Sequence, residues 1–168
     1  RLDKLIDCLA ILPEEYSLDF YVVTVTEKQQ AYAKYLLQYA SDLRVEKRIR
    51  ILEPVKPEEL IQTINAYDIG LFYIEPSISN YEYELRNKLF EYIQARLAVA
   101  TTPVKSIKET IEKYNVGRVS DEYTVESFKE AIIEVRKQLA YYKIKSGEAA
   151  KELSAEKEWL PLLDYINR

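Results

Sequence analysis

The sequence has no histidine, one cysteine and 3 glycines among 168 residues. Without histidine, neither a Ser-His-Asp nor a Cys-His nucleophile can be assembled, and most transition-metal sites lose their commonest ligand. A lone cysteine, Cys8, cannot close an internal disulfide. This favours a reducing compartment, and the expected location is cytoplasmic. On its apolar helix face Cys8 reads as a small buried hydrophobe. Gly70, Gly117 and Gly147 supply neither a GxGxxG turn nor a P-loop, which excludes NAD-type and P-loop ATPase readings. No Cys/His cluster or acidic cage is spaced to hold a metal, so none is expected. No run approaches the roughly 20 apolar residues of a membrane span, and no signal-peptide pattern opens the chain.

What is present is a hydrophobic share of 48% and a net charge of -4, with acids and bases interspersed. The length suits one domain, spanning 1–168, that buries a real core. The charge balance argues against a non-specific nucleic-acid binder. Apolar periodicity alternates between about 3.6 and strand-like runs. Helices are expected over Leu2–Leu12 (stopped by Pro13), Glu27–Asp42 (capped by Thr26), from Pro57 through Tyr67, over Asn87–Ala95, and over Val104–Tyr114 with Gly117 as the terminating glycine. Two more follow from Val125, with a break near Ser146–Gly147 and a last segment from Ser154. Strands are expected at Leu18–Val25, Arg48–Leu52, Ile69–Ile74, Leu97–Thr102 and Arg118–Ser120. Alternating strands and helices imply an α/β fold, a doubly wound, Rossmann-like parallel sheet with helices on both faces. Such a domain normally opens with a strand that becomes central. This chain opens in a helix, so the expectation is a piece of a longer protein whose sheet has its central position vacant or borrowed.

Ligands of open α/β sheets sit beyond the carboxyl ends of the strands, near helix N-termini. Four places are candidates. The polar loop Pro76–Leu85 leads into a helix whose first amides can cradle phosphate, with Asn87 and Lys88 adding a donor and a positive charge. Glu91, four residues after Asn87, shares its helix face, and a carboxylate there can accept both hydrogen bonds of a vicinal diol such as a ribose. A capped helix with a surface glutamate has the same pattern. The loop Glu53-Pro54-Val55 offers backbone groups to a nucleobase edge, as an ordinary turn also would. Arg1 begins the first helix, where a cation would face phosphate unless it is only solvated. Finally, 15 tyrosines are present. Tyr81, Tyr83 and Tyr92 flank the loop and could stack on a base or sugar, whereas Tyr32, Tyr35, Tyr39, Tyr141 and Tyr142 fall on helices and read as packing.

The stretch NKLFEYIQARLAVATTP, Asn87–Pro103, resembles the donor-binding signature of GT-B-fold glycosyltransferases of the retaining group 1 type. The segments EPVKPEELIQTINAYDIGLFYIEPS before it and YNVGRVSDEYTVESFKEAI after it are similar to that family in order and content. The resemblance implies the C-terminal half of a two-domain enzyme that binds a nucleotide diphosphate sugar without a metal or other cofactor. Its acceptor, a glycan or a lipid-linked sugar, would be bound by an N-terminal domain, and the full-length enzyme could associate peripherally with a membrane. In this likeness Glu91 corresponds to the ribose-binding glutamate. Asn87, Lys88 and Leu89 open the helix beside the diphosphate, Glu53, Pro54 and Val55 form the base loop, and Arg1 is the cation facing the diphosphate. The second glutamate of the family signature is replaced by Tyr83, with Glu82 and Glu84 on either side, so Tyr83 and Glu84 are the candidates for the donor sugar. Two rival readings are a non-catalytic binding module of the same fold and an unrelated doubly wound nucleotide binder.

Overall fold

A computed structural model describes residues 1–75 and 87–153. The loop Pro76–Leu85, with Tyr81, Tyr83 and Glu84, and the segment from Ser154 lie outside the described residues. The order is α1 (Leu2–Ile11), β1 (Leu18–Tyr21), α2 (Glu27–Asp42), β2 (Ile49–Leu52), α3 (Pro57–Ile64), β3 (Ile69–Phe72), α4 (Asn87–Gln94), β4 (Ala98–Thr101), α5 (Lys105–Tyr114), β5 (Gly117–Val119), α6 (Val125–Lys137) and α7 (Leu139–Glu152). The expected α/β architecture is present, with parallel strands and helices on both faces.

The strands form two parallel ladders, β1 with β2 and β3-β4-β5, with no backbone ladder joining them among the described residues. The two are linked by side chains instead. Tyr67, just before β3, donates its hydroxyl to Asp19 of β1 at 2.7 Å and meets the Tyr21 hydroxyl at 3.0 Å.

β4 explains the layering. All four of its residues are buried, and they alternate: Ala98 and Ala100 face a core of α1, α2 and α6, while Val99 faces a core of α4, α5 and α7. Cys8 is buried in the first core and its thiol is pushed up to about 12 by burial, which makes it an inert packing group. The capping box Thr26/Gln29 starts α2, and Pro57 occupies the first turn of α3.

Three expectations are corrected. The first strand ends at Tyr21, not Val25. Val22 N–H makes a last rung to the Leu52 carbonyl at 3.1 Å, and beyond it β2 has no more backbone to offer, so Val25 is left 82% exposed. Gly117 does not terminate α5. Asn115 does so, in the left-handed conformation at φ 53°. Gly117 opens β5, where a Cβ would lie 1.8 Å from the Val99 carbonyl oxygen. The helix break falls at Gln138, not Ser146–Gly147. Ser146 lies where α7 crosses the turn at Arg96–Leu97, and Gly147 has room there for a Cβ. Ser146 Oγ donates to the Leu97 carbonyl at 2.6 Å, and the Arg96 side chain lies 3.7 Å from where a Cβ on Gly147 would stand.

Candidate functional site

The rotation of α4 follows from its apolar residues. Leu89 and Ile93 are fully buried. The Tyr92 ring lies on Gly70, where any Cβ would come within 2.2 Å of it, and packs on Phe72 at 5.0 Å. At about 100° per residue, Asn87 and Glu91 then fall opposite the Leu89–Ile93 face. Asn87 and Lys88 are exposed and Glu91 is half-buried. The Glu91 carboxylate has no side-chain partner among the described residues, and its charge adds to burial in pushing the Tyr92 hydroxyl up to about 12. Leu89, with its side chain wholly in the core, has only its backbone N–H to offer a ligand.

Arg1 is not merely solvated. Its Nη1 donates to Glu75 at 2.5 Å, and its Nε and Nη2 both reach Asp3 at 3.3 Å. The start of α1 is thereby tied to the chain leaving β3. Lys4, one turn further, pairs with Asp7 at 2.9 Å, and Asp7 also accepts from Tyr39 at 2.5 Å. Burial raises the Asp7 carboxyl, but these two hydrogen bonds outweigh it and hold the group below its ordinary value. Sequence pattern does not single out Glu75 or Lys4. The spacing of Lys4 from Arg1 on one helix face is the signal that could have found the second.

The base-loop residues lie beyond β2. Glu53 and Pro54 are exposed and Val55 is half-buried. Glu53 Oε1 accepts from Thr24 Oγ1 at 3.4 Å, which links the loops after β1 and β2. The structure thus makes two clusters, Arg1 with Glu75 and Thr24 with Glu53, at the carboxyl ends of the two ladders. It brings no described residue onto Glu91.

The helical tyrosines divide. Tyr142 is core, but Tyr32, Tyr35 and Tyr141 are exposed, and Tyr32, Tyr35 and Tyr39 stack on one another at 6.1 and 5.8 Å along α2. A polar cavity of about 520 Å³ opens beside β5, lined in part by Lys108, Arg118 and Tyr141, and contains none of the candidate residues. Among the described residues no three acidic or sulfur ligands converge, and no helix is long and apolar enough to cross a membrane.

A family model described as "Glycosyl transferases group 1" matches residues 1–138. WaaG, described as a glycosyltransferase involved in lipopolysaccharide biosynthesis, superposes with a TM-score of 0.67 at 20% identity, over 92% of this chain and 40% of its own. HepE of Anabaena, solved in complex with UDP, superposes with a TM-score of 0.66 at 18% identity, over 89% and 40%. The chain therefore spans 40% of the length of these two solved proteins. No curated protein matches the sequence.

Proposed function

Because this chain belongs to the group 1 glycosyl transferases, we propose that it is the donor-binding half of an enzyme that moves a sugar from a nucleotide diphosphate sugar to a glycan or lipid-linked acceptor. The observation that carries this reading is Glu91, a half-buried carboxylate without a side-chain partner among the described residues, on the face of α4 turned from the core. A half-buried carboxylate without a side-chain partner among the described residues keeps its oxygens available to accept hydrogen bonds from a ligand. A ribose diol would supply two charge-assisted hydrogen bonds.

The chemistry asked of the protein is electrostatic. As the sugar–phosphate bond breaks, the departing diphosphate gains charge. The first amides of α4 and the cation of Lys88 can stabilise it, and Arg1 would join them by exchanging a bond to Asp3 or Glu75 for one to the diphosphate. Glu53 to Val55 would meet the base, and Tyr83 and Glu84 the donor sugar. An N-terminal domain would bring the acceptor and complete a cleft that one domain leaves open. With protein cations neutralising the diphosphate, chelation of divalent metals should leave donor affinity unchanged.

Calorimetry with a panel of uridine and guanosine diphosphate sugars tests the reading. Saturable binding of at least one member is the expected result. Absence of binding across the panel would leave the rival, a module of this fold kept for another interaction, in its place.

A further inference from the structure

β3 and β4 pair as far as Phe72 opposite Thr101, and the Thr102 N–H then donates to the Phe72 carbonyl at 3.1 Å. Past this rung the two chains part, one toward Glu75 and one toward α5. The Thr102 hydroxyl continues the ladder for one more step. It accepts from the Ile74 N–H at 2.9 Å and donates to the Ile74 carbonyl at 2.7 Å. Thr102 is fully buried and Ile74 is 8% exposed, so water cannot replace either bond. Ile74 is followed by Glu75, the residue that holds Arg1.

We infer that Thr102 is a positioning residue of the donor site: its hydroxyl clamps Ile74, and through it sets Glu75 and Arg1 in the geometry that a nucleotide diphosphate meets. The inference rests on the proposed donor-binding role. The chain must turn from a buried strand into the open edge at Ile74, where the backbone ladder has run out. An apolar side chain of equal volume would leave both backbone groups of Ile74 buried without partners. The exit would then shift to find others, carrying Glu75 with it. Serine keeps the hydroxyl and should keep the clamp.

The test compares Thr102→Val, Thr102→Ser and Val99→Ala, a change in the same buried strand that loses packing in the cluster holding Ile74 and Leu89 but removes no hydrogen bond. Affinity for UDP and for GDP is measured well below each melting temperature, and exchange of the Ile74 amide is followed by NMR. Thr102→Val should weaken the preferred nucleotide about tenfold, a change of about 1.4 kcal/mol, while Thr102→Ser and Val99→Ala stay within about threefold of the parent. The Ile74 amide should exchange faster in the valine variant alone. In a Glu75→Gln background, Thr102→Val should add little further loss, because the two act on one arrangement. If Thr102→Val does not fold, Thr102→Cys, with its weak donor, takes its place.

Parent-like affinity in the valine variant would overturn the inference, as would an equal loss in Val99→Ala or full multiplication with Glu75→Gln. A parent chain that binds neither UDP nor GDP would instead remove the donor-binding reading on which the inference rests, even with the Ile74 amide still protected.

Discussion

Glu91 and Asp19 are two partly or wholly buried carboxylates with opposite circumstances. Asp19, whose side chain is 5% exposed, accepts from Arg50 Nε at 2.8 Å, from Arg50 Nη2 at 2.5 Å and from the Tyr67 hydroxyl at 2.7 Å. The hydrogen bonds from Arg50, opposed by burial and reinforced by Tyr67, hold its carboxyl below the ordinary value. A lowered folded pKa contributes stability above the unfolded value, near 3.9, and that stability is lost as pH falls toward the folded one. Thermal melts from pH 6 to pH 3 should therefore show a steeper acid loss in the parent than in Asp19→Asn. At pH 7 the variant should be less stable by about 1–2 kcal/mol. Glu91 has no such network among the described residues, so Glu91→Gln should hardly move the melting temperature. It should weaken donor or nucleotide diphosphate binding by about one to two orders of magnitude, since each bond to a charged acceptor contributes roughly 1.5–3 kcal/mol. Parent-like donor affinity in that variant, measured by calorimetry, would remove the ribose role.

At the scale of elements, the sequence signals that acted locally were the reliable ones. Thr26 and Pro57 start their helices where capping chemistry says they should, and the apolar spacing of α1, α4 and α5 marks the faces that are buried. The glycines were misleading because a glycine answers either a backbone angle or a lack of space, and only the fold distinguishes them. Gly117 answers space beside β4, and Asn115 takes the left-handed residue's place. Gly117→Ala should accordingly destabilise by about 2–3 kcal/mol or prevent folding, as overpacking against backbone does. Asn115→Gly should stay within about 1 kcal/mol of the parent, because glycine adopts that conformation freely. Urea unfolding of the two variants checks both. Were Gly117→Ala tolerated and Asn115→Gly damaging, the assignment of the cap would be reversed.

For the whole molecule, Arg1 with Glu75 and Thr24 with Glu53 gather at the carboxyl ends of the two ladders, where the proposed donor site lies. The chain of 168 residues should bind a nucleotide diphosphate sugar yet transfer none of it, because acceptor groups would come from the opposite wall of the cleft. Release of radiolabelled sugar to an acceptor by this purified chain would contradict the two-domain reading.

Composition and pattern alone determined the fold class, the order of the elements, and the group 1 likeness carried by Asn87–Pro103. These depend on periodicity, caps and residue types, which are properties of neighbours along the chain. Tertiary structure alone decided that Leu89 gives a ligand only its backbone, that Arg1 is held by Glu75, and that the Thr102 hydroxyl takes over from the ladder at Ile74. It also decided that Ser146 lies inside α7, bonded to the Leu97 carbonyl, rather than at a break. Each of these joins residues from about 30 to more than 70 positions apart, where spacing along the chain carries no information about distance.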